Sequence, residues 1–167
     1  MKTIINHLKQ ITTHKWKLIY SISLLATLTI FSCEKDQSIQ SNPIPYVTVN
    51  RTINLNLPQY SALNTKGNAI YLTDIGYKGI TVVRDYSDNL WALDMACPFH
   101  KDADCSHVIQ EKSGLAYVCG SYNSANVLLP CCASRYSLDG TLLDGPSTFP
   151  LRRYNLQKNG SELLISN

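Results

Sequence analysis

The chain has 167 residues, 15 of them basic and 12 acidic, which gives a net charge of +3 and room for one domain plus a leader. Lys2, Lys9, Lys15 and Lys17 all precede the first acidic residue, Glu34, so residues 34–167 carry 11 basic and 12 acidic groups. The positive balance therefore belongs to the leader, and no nucleic-acid-binding patch is to be inferred from it for the working domain.

Leu18 to Phe31 is an apolar stretch behind that positive segment, and it ends at Ser32-Cys33. It is short for a membrane span and fits a signal-peptide core. The segment Ile30-Phe31-Ser32-Cys33 resembles the lipobox of bacterial lipoproteins, with an aliphatic residue three before the cysteine and a small one just before it. The resemblance implies a signal peptide over residues 1–32, cleavage before Cys33, and lipidation of Cys33. It thereby implies a cell-envelope location on a bacterial membrane. Several buried acyl chains, at about 0.8 kcal/mol per methylene, make a stable anchor. An uncleaved short span, or a plain signal peptide with an incidental cysteine, is the alternative reading. Export places the domain where thiols tend to pair. Without Cys33 there remain Cys97, Cys105, Cys119, Cys131 and Cys132. That number is odd, so at least one is unpaired, metal-bound or joined to something else.

Residues 33–43, polar and rich in Ser, Asn and Gln, read as a flexible tether. The domain is expected over residues 44–167. Its pattern is of short strands: Tyr46–Val49, then Ile53, Leu55 and Leu57 alternating with Asn54 and Asn56, then Ala69–Leu72, Ile80–Arg84 and Leu90–Asp94. The last two read as a hairpin closed by Ser87-Asp88-Asn89. Leu115–Cys119 and Val127–Leu129 are further candidates, and Leu151–Leu156 with Glu162–Ile165 reads as a closing hairpin across Lys158-Asn159-Gly160. No window beyond the leader carries a helical apolar repeat. The class is all-β, a small antiparallel sandwich or barrel.

Two segments, read as loops, hold nearly all the reactive side chains. The first runs Cys97-Pro98-Phe99-His100 to Asp104-Cys105-Ser106-His107, and the second Leu129-Pro130-Cys131-Cys132-Ala133-Ser134-Arg135-Tyr136. Cysteine and histidine in two loops suggest a soft-metal site, and Cys97-x-x-His100 has a spacing that zinc sites use. Two disulfides with surface histidines fit the same residues. Asp102 and Asp104 read as solvated loop carboxylates, and Arg152-Arg153 as a solvated strand end.

The second segment resembles the second cluster-binding box of Rieske proteins, Cys-Pro-x-His-Gly-Ser-x-aromatic. It is followed, as in that family, by an Asp-Gly turn, Gly-Pro and Pro-Leu, here Asp139-Gly140, Gly145-Pro146 and Pro150-Leu151. The first segment resembles the family's first box, Cys-x-His, preceded by a hairpin strand such as Leu90–Asp94. The resemblance runs from about Val47 to Ile165. It implies a small antiparallel Rieske-like domain with a two-loop cluster-binding subdomain, an electron-transfer ancestry and a [2Fe–2S] cofactor. Such a cluster takes two Cys on one iron and two His on the other, which raises its potential.

Position by position, Cys97 matches the first Cys. Phe99 stands at the first His, with His100 one residue later. Leu129 stands at the second Cys, Cys132 at the second His, and Ala133 at the Gly. Ser134 and Tyr136 match the residues that donate hydrogen bonds toward the sulfurs. The metal ligands implied are Cys97, His100 and Cys132, with Cys119 the distant substitute thiolate, so the ligand set is incomplete. The disulfide of respiratory Rieske proteins implies Cys105–Cys131. If no metal is bound, Cys97 and Cys132 would face each other and could pair, leaving Cys119 free. Three functional readings follow: an envelope electron-transfer protein, a cluster-free disulfide-stabilised binding module, and a zinc-binding loop site. None makes the chain an enzyme by itself. It would be a component of an oxidoreductase system, with the membrane held through Cys33 and a redox or protein partner at the loop tip. About 120 residues cannot also hold the catalytic iron domain of an oxygenase.

Overall fold

A computed structural model describes residues 41–167, and those from Ser41 onward form a compact unit. The expected signal peptide, the lipidation site Cys33 and most of the expected tether lie outside the described residues. Among the described residues no helix is long and apolar enough to cross a membrane.

The strands are β1 (Asn50–Asn54), β2 (Ala69–Leu72), β3 (Ile80–Arg84), β4 (Leu90–Asp94), β5 (Val108–Gln110), β6 (Ala116–Tyr122), β7 (Leu128–Ser137), β8 (Leu142–Asp144), β9 (Arg153–Asn159) and β10 (Glu162–Ser166), with one 3-10 helix, Pro58–Asn64. Every pairing is antiparallel. One sheet has the order β1-β10-β9-β4-β3-β2 and the other β5-β6-β7-β8. The domain is therefore all-β and antiparallel, the class read from the sequence.

The hairpin of β3 and β4 forms where the alternation ends in polar residues. The Asp85 carboxylate accepts the backbone N–H of Asn89 (2.8 Å) and the Trp91 indole N–H (2.8 Å), and Asp88 takes a left-handed backbone at φ 78°. Val82, Val83, Ala92 and Leu93 are buried on this hairpin. Asn42 enters the domain with its amide on the Pro150 carbonyl (2.9 Å), while the Ile44 carbonyl accepts from Arg152 Nε (3.1 Å).

Several expectations are corrected. Tyr46–Val49 alternates yet is not a strand: the backbone of Val49 is met by the Asn167 side chain rather than by a neighbouring strand (3.0 Å). The alternation Ile53, Leu55, Leu57 stops being a strand at Asn54. There the Asn54 side chain accepts the Asn56 N–H (3.0 Å), and Pro58 starts the 3-10 helix. Leu128–Ser137 is one long strand, so Cys131 and Cys132 lie within a strand rather than a free loop, in the stretch where its pairing with β6 is interrupted.

Two apolar cores fill the domain. One gathers Val49, Ile53, Leu63, Ile70, Ile80, Val82, Tyr154 and Ile165 within the larger sheet. The other joins Val83 of β3 and Leu93 of β4 to Val108, Tyr117, Cys119 and Tyr136 of the smaller sheet, with Cys97 inside it. Cys97 is thus placed by the packing between the sheets.

Candidate functional site

The buried carboxylate of Asp94 organises the end of β4. It accepts the backbone N–H of Tyr77 (2.7 Å), that of Ala96 (2.9 Å) and the Tyr154 hydroxyl (2.8 Å). With the Lys78 backbone N–H (3.3 Å), four donors converge on this one buried carboxylate, which compensates its desolvation and fixes where the chain leaves the strand. Ala96 then bridges to His107, and the Cys97 N–H reaches the Ser106 carbonyl (3.3 Å), closing the first segment into a loop.

Opposite it, β6 and β7 pair with a large irregularity. Val118 faces Arg135 and Gly120 faces Pro130, so Cys119 alone stands against the run Cys131 to Ser134. The extra residues bow β7 outward and turn Cys132 over Cys119. Gly120 permits this: its φ is +151°, and a side chain there would overlap the Leu129 carbonyl. Gly145, at φ +101°, likewise lies directly on the backbone of Ala133 and Ser134. Cys105 and Cys131 are joined by a disulfide that staples the first loop to β7, with Cα atoms 5.3 Å apart. Closing a loop with a sequence separation of 26 restricts the unfolded chain by about 3–4 kcal/mol in the chain-entropy account.

Inside the staple the three remaining thiols meet. The Sγ atoms of Cys97, Cys119 and Cys132 all lie within 4.8 Å of one another. Cys97 and Cys132 face each other at 3.5 Å and are not bonded. Cys97 and Cys119 are buried, and Cys132 is half-buried. The Tyr136 hydroxyl lies 3.7 Å from Cys97 Sγ. Donation from the Cys119 thiol, opposed by burial and helped by the Phe99 N–H, the Cys132 thiol and Tyr136, holds Cys97 well below the usual thiol range. Cys119, as the donor in that pair and buried, is pushed far up. Burial likewise raises the Tyr136 phenol, keeping it a proton donor toward the sulfur.

The site differs from the sequence expectation in three respects. His100 does not join the thiols: it is exposed, with its ring edge-on against Phe99 at 4.1 Å between centroids. The extra residue in the first segment carries the imidazole to the tip. Ser134 is buried, but its hydroxyl accepts the Ser147 N–H (3.0 Å) and so pins the Gly145–Ser147 segment rather than a sulfur. Cys119, a distant candidate in the sequence, is a full member of the group. Leu129 is 51% exposed and supplies nothing to the site. Asp102 is engaged by Tyr77 (2.9 Å) and Lys101. Asp94 was read only as a strand residue. Its role has little local sequence signal, because all its donors but Ala96 come from distant segments.

A two-iron cluster needs two donors on each of two ions. Three sulfurs this close together do not supply that set, and of the two remaining family positions Leu129 has no donor atom while the shifted His100 is exposed and stands apart from the thiols. The residues present do not fit the cluster.

No sequence model of a protein family matches this chain, and no curated protein matches it. Several solved structures are similar to it. One is the plasma membrane Rieske protein PetC3 of the cyanobacterium Synechocystis PCC 6803, at 24% identity over 69% of this chain and 99% of that one, with a TM-score of 0.47. Another is the ferredoxin of carbazole 1,9a-dioxygenase from Nocardioides aromaticivorans IC177, at 22% identity over 72% of this chain and 98% of that one, with a TM-score of 0.45.

Proposed function

We propose that this chain is a bacterial cell-envelope lipoprotein, anchored through Cys33, whose Rieske-like domain is a cluster-free, disulfide-stapled module presenting three thiols where the family holds its two-iron cluster. The observation that carries this reading is the donor set. Cys97, Cys119 and Cys132 converge within 4.8 Å, while His100 and Leu129 face outward. The anchor rests on the sequence: a positive segment, a short apolar core and a small residue before Cys33.

The module is not a catalyst on its own. Its electron-transfer ancestry makes it a component of an envelope oxidoreductase system, and a partner would meet it at the tip that carries Phe99, His100 and Leu129. Iron and acid-labile sulfide analysis of the full-length chain, purified anaerobically in detergent, tests the reading together with a visible spectrum. The expected result is a colourless protein with neither iron nor sulfide in stoichiometric amount. Two irons and two sulfides per chain, with the brown absorption of a cluster, would overturn it.

A further inference from the structure

We infer that Cys97, Cys119 and Cys132 form a mononuclear site for one thiophilic d10 ion of the Zn2+ class, a different centre from the two-iron cluster in both nuclearity and ligands. This rests on the reading that the cluster is not held. Three observations carry it.

The first is spacing. Zinc–thiolate bonds of about 2.3 Å in a tetrahedron set sulfurs roughly 3.8 Å apart. The pair Cys97–Cys132 stands at 3.5 Å, and none of the three sulfurs is more than 4.8 Å from another. One ion at their centre reaches all three with small side-chain adjustments.

The second is how the sulfurs are held. Cys97 leaves the ordered end of β4, Cys119 lies on β6, and Cys132 lies in the bowed part of β7 that the Cys105–Cys131 disulfide fixes to the first loop. Three separate backbone segments present one donor each, and the staple uses up the nearest competing thiols. Tyr136 adds an outer hydrogen bond to Cys97 Sγ, the kind of contact that orients a ligand.

The third is access. Cys97 and Cys119 are buried and Cys132 is half-buried, so an ion enters from the Cys132 side and keeps its fourth position there, facing water. Binding involves no redox change. Each thiol proton still present passes to solvent as a metal–sulfur bond forms. Three free thiols within bonding reach of one another in an oxidising compartment are also protected from pairing when a metal holds them.

The test uses the full-length chain in detergent, stripped of metal with a chelator under mild reductant that spares the staple, and titrated with Co2+ as the coloured stand-in for Zn2+. The expected result is one Co2+ per chain with an intense thiolate-to-metal charge-transfer band, abolished by stoichiometric Zn2+. Cys119→Ser and Cys132→Ser should each lose the band, and His100→Ala should keep it. If buried Cys119→Ser fails to fold, as judged by circular dichroism, Cys132→Ser at the solvent side decides. Absence of the band in folded protein, or a band that survives Cys132→Ser, would overturn the inference and leave the cluster-free reading standing. So would a Cys97–Cys132 disulfide in anaerobically purified protein. Stoichiometric iron and sulfide would instead overturn the cluster-free reading itself.

Discussion

Three side chains of identical chemistry differ here in exposure, and that difference orders their reactivity. A thiol must be reached as well as ionised to react. Cys97 is held toward its thiolate but is fully buried, as is Cys119, whereas Cys132 is half-buried. In the metal-stripped folded chain, an alkylating reagent should therefore modify Cys132 first, with Cys97 and Cys119 reacting only on unfolding. Peptide mass spectrometry after timed labelling reads the order, and early labelling of Cys97 in folded protein would contradict it. The residue types of the site were legible in the sequence, because cysteine and histidine gathered in two segments stand out as metal or disulfide residues. Their grouping was not: Cys119 reaches Cys132 only through a strand irregularity, and His100 leaves the site through one added residue. The added residue is visible in the spacing, but where it carries the imidazole, and the strand irregularity, are not.

At the level of elements, the irregular pairing of β6 and β7 builds the site, and Gly120 is its hinge. A Cβ at Gly120 would meet the backbone of Leu129, Pro130 and Cys131 at a positive φ. Gly120→Ala should cost about 2–4 kcal/mol from strain and overlap, read as a lowered urea midpoint. An unchanged midpoint would mean that the bow in β7 does not depend on this close approach.

An ionic tie joins β7 to the turn between β5 and β6. Arg135 Nε donates to Glu111 Oε1 at 2.8 Å, and that bond, opposed by burial and aided by Ser113, lowers the Glu111 pKa. A carboxylate depressed in the folded state stabilises above its unfolded pKa and loses that contribution as pH falls through the lower folded value. Glu111→Gln should therefore cost about 0.5 kcal/mol at pH 7, a figure already discounted for solvent screening, and almost nothing near pH 2. Equal losses at both pH values would assign the effect to packing.

Where elements were readable, the reason is local. Ala69–Leu72, Ile80–Arg84 and Leu90–Asp94 are short apolar runs bounded by turn residues, and the structure gives them those bounds. β5 and β8 have three residues each and the 3-10 helix a single apolar anchor, Leu63, too little for a periodic signal. Tyr46–Val49 alternates without a partner strand, and alternation alone does not make a ladder.

For the whole molecule, two cores have distinct uses. The larger sheet closes around its own apolar side chains, while the second core ties both sheets together with Cys97, Cys119 and Tyr136 inside it. The site is therefore part of the inter-sheet packing, and the Cys105–Cys131 staple supports the same region. Fold and site chemistry are separable: a small antiparallel frame does not by itself specify what its loops bind. Native mass spectrometry of the full-length protein, purified anaerobically from membranes and released gently from detergent, tests this most directly, because one mass reports cleavage, lipidation, disulfides and metal content. The account predicts a lipidated chain beginning at Cys33, with one disulfide and at most one metal ion. A mass greater by two irons and two sulfides, lost together on denaturation, would contradict it.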